Sequence, residues 1–128
     1  MEPEKRPIIL IAEDDESNYL LLFALLKRDY QIIHAHDGIE AIQLFKNFPP
    51  DAILMDIKMP VLDGYEATTE IRKLTEDIPI LAITAYALEG DEQRILQNGF
   101  NGYLSKPIIS QSLKSKIKNL LKKKFIFM

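Results

Sequence analysis

Five side chains can do chemistry together if the chain brings them to one place: Glu13, Asp14, Asp56, Thr84 and Lys106. Each closes a short apolar run. Residues 8–12 lead into Glu13-Asp14-Asp15-Glu16, residues 52–55 into Asp56, residues 80–83 into Thr84, and residues 102–104 almost into Lys106. Asp is depleted in strand interiors, so Asp56 belongs where a buried strand runs out. If the runs are parallel strands, all four ends lie on one edge of a sheet, which is where open α/β sheets bind ligands. The result is a pocket of three carboxylates, one hydroxyl and one ammonium. Two like charges ~4 Å apart repel by roughly 4 kcal/mol at an effective dielectric near 20, so such a pocket needs a cation. Oxygen ligands without Cys or His favour Mg²⁺ or Mn²⁺ over zinc. A divalent ion, an ammonium clamp (Lys106), a hydroxyl donor (Thr84) and a carboxylate nucleophile (Asp56) form a template for phosphoryl transfer. Asp15 and Asp63 are read more simply, as helix caps.

The elements that position these residues follow from periodicity. Strands are expected at 8–12, 31–35, 52–55, 80–83 and 102–104. Between them, helices are expected from about residue 16 to 28, from Asp37 to the Pro49-Pro50 break, from Asp63 through Leu74, and from Leu88 to Asn98 with Gly99 closing it. The last helix starts near Ser110, with Leu113, Ile117, Leu120 and Leu121 on one stripe. Asp37–Glu40 and Asp63–Glu66 both have capping-box spacing. Five alternations of strand and helix argue for a parallel sheet covered on both faces.

Bulk properties set the class. The 128 residues suit one domain, with residues 1–7 as a tail or linker end and 122–128 as a C-terminal tail whose lysine run is a solvated helix end. Forty-seven per cent hydrophobic and 27% charged residues describe a globular chain with a real core. A net charge of -3 argues against nucleic-acid binding. No cysteine is present, so disulfides and thiolate metal sites are excluded. The apolar run 19–26 is too short to span a bilayer and the N-terminus lacks a signal-peptide core. A cytoplasmic domain without membrane contact is the expectation.

The chain resembles the receiver domain of two-component response regulators over nearly its whole length. The matching pieces are residues 9–18 (Ile-Leu-Ile-Ala-Glu-Asp-Asp-Glu-Ser-Asn), 53–64 (Ile-Leu-Met-Asp-Ile-Lys-Met-Pro-Val-Leu-Asp-Gly), 80–85 (Ile-Leu-Ala-Ile-Thr-Ala) and 102–107 (Gly-Tyr-Leu-Ser-Lys-Pro). All four in order, at these spacings, are highly specific. The resemblance implies a flavodoxin-like five-stranded parallel sheet in the order 2-1-3-4-5 with five helices. It implies Asp56 as phosphoacceptor, Asp14 as direct metal ligand, Glu13 as a ligand through water and the Lys58 main-chain carbonyl as a further ligand. Thr84 and Lys106 match the phosphoryl-contacting pair, and Tyr103 the aromatic that moves with Thr84 on activation. Lys58 and Tyr86 match positions that tune hydrolysis of the acyl phosphate. The Lys106-Pro107 bond is expected to be cis. The implied donor is a histidine kinase or histidine phosphotransfer protein, with the domain catalysing phosphoryl entry and loss. Self-association on phosphorylation is left open.

The style of residues 13–18 and 59–67 looks like receivers appended to hybrid sensor histidine kinases; a stand-alone response regulator is the alternative. The helix after Glu13 is apolar all round at 19–26, so some of its side chains must be exposed. Asp15, Asn18 and Leu22 are spaced along one helical face and are expected to dock a phosphodonor's four-helix surface. The segment 88–98 with Tyr103 and the last helix is expected to form the face that reports phosphorylation. Other readings fit less well. A phosphatase with an Asp nucleophile needs an acid two residues later, where this chain has Lys58. A flavin protein needs neutral donors after strand one, where Glu13–Glu16 repel phosphate. A receiver-like module that is never phosphorylated does not need the intact set Asp14, Asp56, Thr84 and Lys106.

Overall fold

A computed structural model describes residues 6–85 and 91–126, the last four by backbone alone. The elements run β1 (Ile8–Ala12), α1 (Glu16–Leu26), β2 (Gln31–Ala35), α2 (Gly38–Asn47), β3 (Ala52–Asp56), α3 (Gly64–Leu74), β4 (Ile80–Thr84), α4 (Asp91–Gln97), β5 (Gly102–Ser105) and α5 (Ser110–Ile126). The strands form one sheet in the order β2-β1-β3-β4-β5, and every neighbouring pair is parallel. This is the flavodoxin-like doubly wound arrangement, with five helices, that the alternation implied.

Strand periodicity of two sorts the core into two layers. Leu10, Ala12, Ile53, Met55, Ile80 and Ala82 point to one face, where Ala41 of α2, Ala67 and Ile71 of α3 and Ile95 of α4 meet them. Ile9, Ile11, Leu54, Leu81 and Ile83 point to the other, against Leu22 and Leu26 of α1 and Leu113, Ile117 and Leu121 of α5. Each fully buried Leu or Ile in these layers contributes roughly 1.5–3 kcal/mol over leaving it in water. The central strands are apolar on both faces because both faces are covered.

Local signals explain the helix starts. Asp15, Asp37 and Asp63 are N-caps, accepting from the backbone N–H of Asn18, Glu40 and Glu66. At Asp63 the capping box is complete. At Asp37 it is half formed, because Glu40 Oε1 turns instead to the His36 N–H and imidazole, 3.1 and 2.8 Å away. The first helix stops at Leu26 rather than near Arg28: the N–H groups of Asp29 and Tyr30 both turn back to the Leu26 carbonyl. Arg6 Nη1 also donates to the Lys27 carbonyl at 2.9 Å, and the Pro7 carbonyl accepts from Gln31 N, so these two residues are tied to the fold. β3, β4 and β5 each extend one residue beyond expectation, to Asp56, Thr84 and Ser105. Of the fourth helix, residues 91–97 are seen, and Gly99 closes it at φ +98°. The expected start at Leu88 and the tuning position Tyr86 lie outside the described residues. α5 continues through the lysine run.

Candidate functional site

Sheet register assembles the site. Ala12 pairs with Met55, so Glu13 comes level with Asp56; Asp56 pairs with Ile83, and Thr84 with Ser105, so Thr84 and Lys106 follow on the same edge. Glu13, Asp14, Asp56, Thr84 and Lys106 line one cleft, with Asp15, Asn18, Ile57, Lys58 and Ala85. Sequence reasoning placed the five together and the fold does so. Asp56 is 4% exposed, and both its oxygens are held: Oδ2 accepts from Lys106 Nζ at 3.0 Å and Oδ1 from the Lys58 N–H at 3.0 Å. Thr84 is buried, while Asp14 is exposed at the rim. Lys106-Pro107 is cis, as expected. Tyr103 is half-buried on the α2–α4 side of the sheet, with Lys116 Nζ 5.4 Å from its ring centroid.

Glu13 carries the electrostatic cost. It is 1% exposed. Burial first, then the Asp56 carboxylate beside it, pushes its carboxyl up to about 8, against the weaker opposing pull of the Asp15 N–H and Lys106. Lys106 Nζ lies 3.2 Å from Glu13 Oε1, yet that oxygen has no hydrogen bond, so the contact is charge proximity and leaves a buried acceptor unsatisfied. For Lys106, burial alone lowers the ammonium's pKa, but Asp56 and Glu13 outweigh it and hold it above its ordinary value.

The donor set fits a hard divalent cation. One carboxylate oxygen each from Glu13, Asp14 and Asp56 lie within 4.8 Å of one another. Two of the three are buried and one faces the opening, so a cation could be reached from solvent. The unsatisfied Glu13 oxygen is the kind of acceptor a cation or its water shell would complete.

Several supports were not legible as functional. His34 Nε2 lies 2.8 Å from the Glu13 carbonyl, and its ring stacks on Tyr19 at 3.4 Å. Gly64 packs under the site: a Cβ there would sit 2.4 Å from the Asp56 carbonyl oxygen and 2.8 Å from Ile57 Cα. The Asp-Gly pair at 63–64 was visible as a helix start, but not as a close backbone approach. Between Pro60 and Leu62 the chain makes a tight turn (Leu62 N–H to Pro60 carbonyl, 2.7 Å) that holds Val61 at φ 69°. A β-branched residue there is strained.

The docking expectation on α1 needs one correction. Asp15 is exposed and Asn18 half-exposed at the cleft mouth, but Leu22 is 2% exposed and packs in the core with Ile9, Ile11 and Leu113. The helix phase turns Leu22 inward and leaves Leu20 and Leu21 outside, at 51% and 46% exposure. Leu21 and the inward-facing Leu22 both line a small pocket with Asn18, Lys106, Pro107 and Ile108.

Comparison with known proteins agrees with this geometry. Residues 9–118 match the model of the response regulator receiver domain. The chain is 42% identical over 118 residues to "Hybrid signal transduction histidine kinase I" of Dictyostelium discoideum; the match covers 84% of this chain and 7% of that protein. It is also 42% identical over 103 residues to the polar-differentiation response regulator DivK of Brucella anthropi, covering 78% of this chain and 84% of that one. Among solved structures, the receiver domain of the sensor histidine kinase PA1611 from Pseudomonas aeruginosa superposes with a TM-score of 0.85 at 39% identity, covering 91% of this chain and 98% of that one; it holds a magnesium ion in its active-site cleft. The receiver domain of Saccharomyces cerevisiae Ssk1, crystallised with the histidine phosphotransfer protein Ypd1, superposes at 0.84 with 30% identity, covering 90% of this chain and 88% of that one.

Proposed function

From the premise that the chain belongs to the response regulator receiver family of two-component signalling, we propose that it takes a phosphoryl group from a phosphohistidine onto Asp56 and changes conformation in response. The observation that carries this is the clamped, buried Asp56 carboxylate, held at both oxygens beside an ammonium and two further acids. An Asp56 oxygen forms the new bond to phosphorus while the P–N bond to the donor imidazole breaks and the imidazole leaves with the electron pair. Lys106 already lies against Asp56 and meets the charge that arrives with the phosphoryl oxygens. Thr84, one strand over, supplies a hydroxyl to the same oxygens, and Tyr103 on the neighbouring strand follows Thr84. Magnesium or manganese, held by Glu13, Asp14, Asp56 and the Lys58 carbonyl, supplies Lewis-acid charge when bound.

The partner fits a histidine kinase or histidine phosphotransfer protein docking at α1, through Asp15, Asn18 and, in place of Leu22, Leu21. The domain acts in the cytoplasm; no helix among the described residues is long and apolar enough to cross a membrane. We place it in a hybrid histidine kinase, supported by its likeness to part of a hybrid signal transduction histidine kinase and to the receiver domain of a sensor histidine kinase. The stand-alone reading is favoured by the match to a response regulator of whose length 84% is covered, and the coding frame around the chain decides between them.

The test is intact mass after incubation with a small-molecule phosphodonor and Mg²⁺, beside Asp56→Asn. Gain of one phosphoryl group, prevented by EDTA and absent in the variant, supports the reading. No gain by a folded wild-type chain refutes it.

A further inference from the structure

Two of the three clustered acids, Glu13 and Asp14, are neighbours in the chain, so the peptide unit between them sets the direction of both. A peptide unit is planar and turns as one body. Its oxygen is the Glu13 carbonyl, and His34 Nε2 lies 2.8 Å from it. A carbonyl can only accept, so this imidazole carries a proton on Nε2. The peptide unit before Glu13 is held as well: its N–H donates to the Ala35 carbonyl at 3.0 Å. Consecutive residues of β2 therefore grip Glu13 from both sides, Ala35 by its backbone and His34 by its side chain. With both flanking planes fixed, Glu13 has little freedom left in φ or ψ, and its side chain keeps one course into the cleft.

The imidazole is braced for this reach. β2 is an edge strand, and His34 pairs with Ile11, two residues short of Glu13. The ring spans that gap. Tyr19 of α1 stacks on it at 3.4 Å with the planes 2° apart, and the His36 ring lies 4.0 Å away. His36 is fixed in turn by Glu40 Oε1, 2.8 Å from its Nδ1. Packing alone does not call for a histidine here: Ile32, on the same face of β2, packs against the α1 layer as a plain aliphatic. What the grip holds in place is costly. Glu13 is 1% exposed; its Oε2 accepts from the Asp15 N–H at 3.2 Å, while its Oε1 has no hydrogen bond. A buried acid with an unmade bond gains by turning toward water unless its backbone prevents it.

We propose that His34 is a positioning residue of the cation site: its Nε2–H holds the Glu13–Asp14 peptide unit so that both carboxylates stay aimed at one ion. The inference rests on the acidic cluster being that site. Without the donor the peptide plane can rotate and the two acids drift apart before an ion arrives. Binding then has to restore their order, and affinity falls by that much.

The experiment is a Mg²⁺ titration of the full ¹⁵N-labelled chain at one fixed pH, followed by amide NMR shifts, beside urea unfolding in EDTA. His34→Phe keeps a ring against Tyr19 and His36 and removes the donor. It is expected to bind Mg²⁺ about tenfold more weakly, the lower end of what partners that orient metal ligands contribute. His34→Gln offers an amide N–H near the Nε2 position and discards the ring. It is expected to recover most of the affinity while unfolding at lower urea than His34→Phe. Affinity then follows the donor and stability follows the ring, whereas a histidine that merely packs makes both follow the ring. Equal Mg²⁺ affinity in wild type and His34→Phe, or affinity that falls in step with stability across the two variants, overturns the proposal. A folded wild-type chain that binds no Mg²⁺ overturns the reading of the acidic cluster itself, and this proposal with it.

Discussion

Glu13→Gln should make the metal-free protein more stable, and the gain should depend on pH. In the fold the Glu13 carboxyl is held up at about 8 by burial and by Asp56, against an ordinary value of 4.5. An acid whose pKa is raised by folding leaves the native state binding more protons than the unfolded chain between those two values. Stability then falls as pH rises, by up to 1.4 kcal/mol per unit, from about pH 4.5 until it levels off above about pH 8. At pH 7 the span is 7 minus 4.5, so the accumulated loss is at most about 3 kcal/mol. Glutamine matches the neutral carboxyl in shape and has no charge to lose, so the variant lacks this slope. For a chain of this size, such a gain corresponds to a rise in Tm of order 10 °C. The assay is urea unfolding followed by far-UV circular dichroism, since the chain has no Trp, at pH 5, 6, 7 and 8 in EDTA. The variant should be little changed at pH 5 and clearly more stable at pH 7. Adding Mg²⁺ should narrow the gap, because a ligand bound to the native state stabilises it by mass action and the wild type holds it better. A difference between the two proteins that stays flat with pH, or a variant less stable at pH 7, refutes the account of Glu13.

The two leucines of α1 should separate stability from docking. Leu22→Ala, in the core at 2% exposure, should cost ~2–5 kcal/mol in urea unfolding, whereas Leu21→Glu should leave stability within about 0.5 kcal/mol and slow transfer from a protein phosphodonor while sparing small-molecule donors. Gly64→Ala forces a methyl to 2.4 Å from the Asp56 carbonyl oxygen, so it should lower both thermal stability and Mg²⁺ affinity, read by calorimetry. Val61→Asn places at φ 69° a residue that tolerates the left-handed region, and should raise stability by about 1 kcal/mol in urea without changing phosphorylation.

What the sequence made legible is what depends on local chemistry. Apolar runs ending in Glu13, Asp56, Thr84 and Lys106 gave the strands, and parallel topology then forced their ends together. Asp15, Asp37 and Asp63 announced the helix starts because a side-chain oxygen next to a helical run has one common use. What stayed hidden depends on partners distant in sequence. Helix α1 is apolar on every side, so nothing in residues 19–26 fixes its rotation; the sheet does, by taking Leu22 and Leu26 and leaving Leu20 and Leu21 out. Glu40 has capping-box spacing, but His36 lies close enough to claim its carboxylate. Gly64 reads as a turn residue until Asp56 and Ile57 are seen against it.

The acidic cluster shows why residue types predict a site better than its energetics. Three acids and a lysine imply a cation site from any arrangement that brings them together. Only the fold reveals that they are unequal: Asp14 sits at the rim in water, Asp56 is held by two donors, and Glu13 is buried with an unsatisfied oxygen. That inequality has a consequence for switching. A site in which all three acids were solvated would gain little from a cation or an incoming phosphoryl group. Here the metal-free state keeps one acid in an unfavourable place, so the free energy of ligand binding includes relief of that cost. Replacing Glu13 removes the penalty and the relief together, and stability and ligand response should therefore change in opposite directions at this one residue.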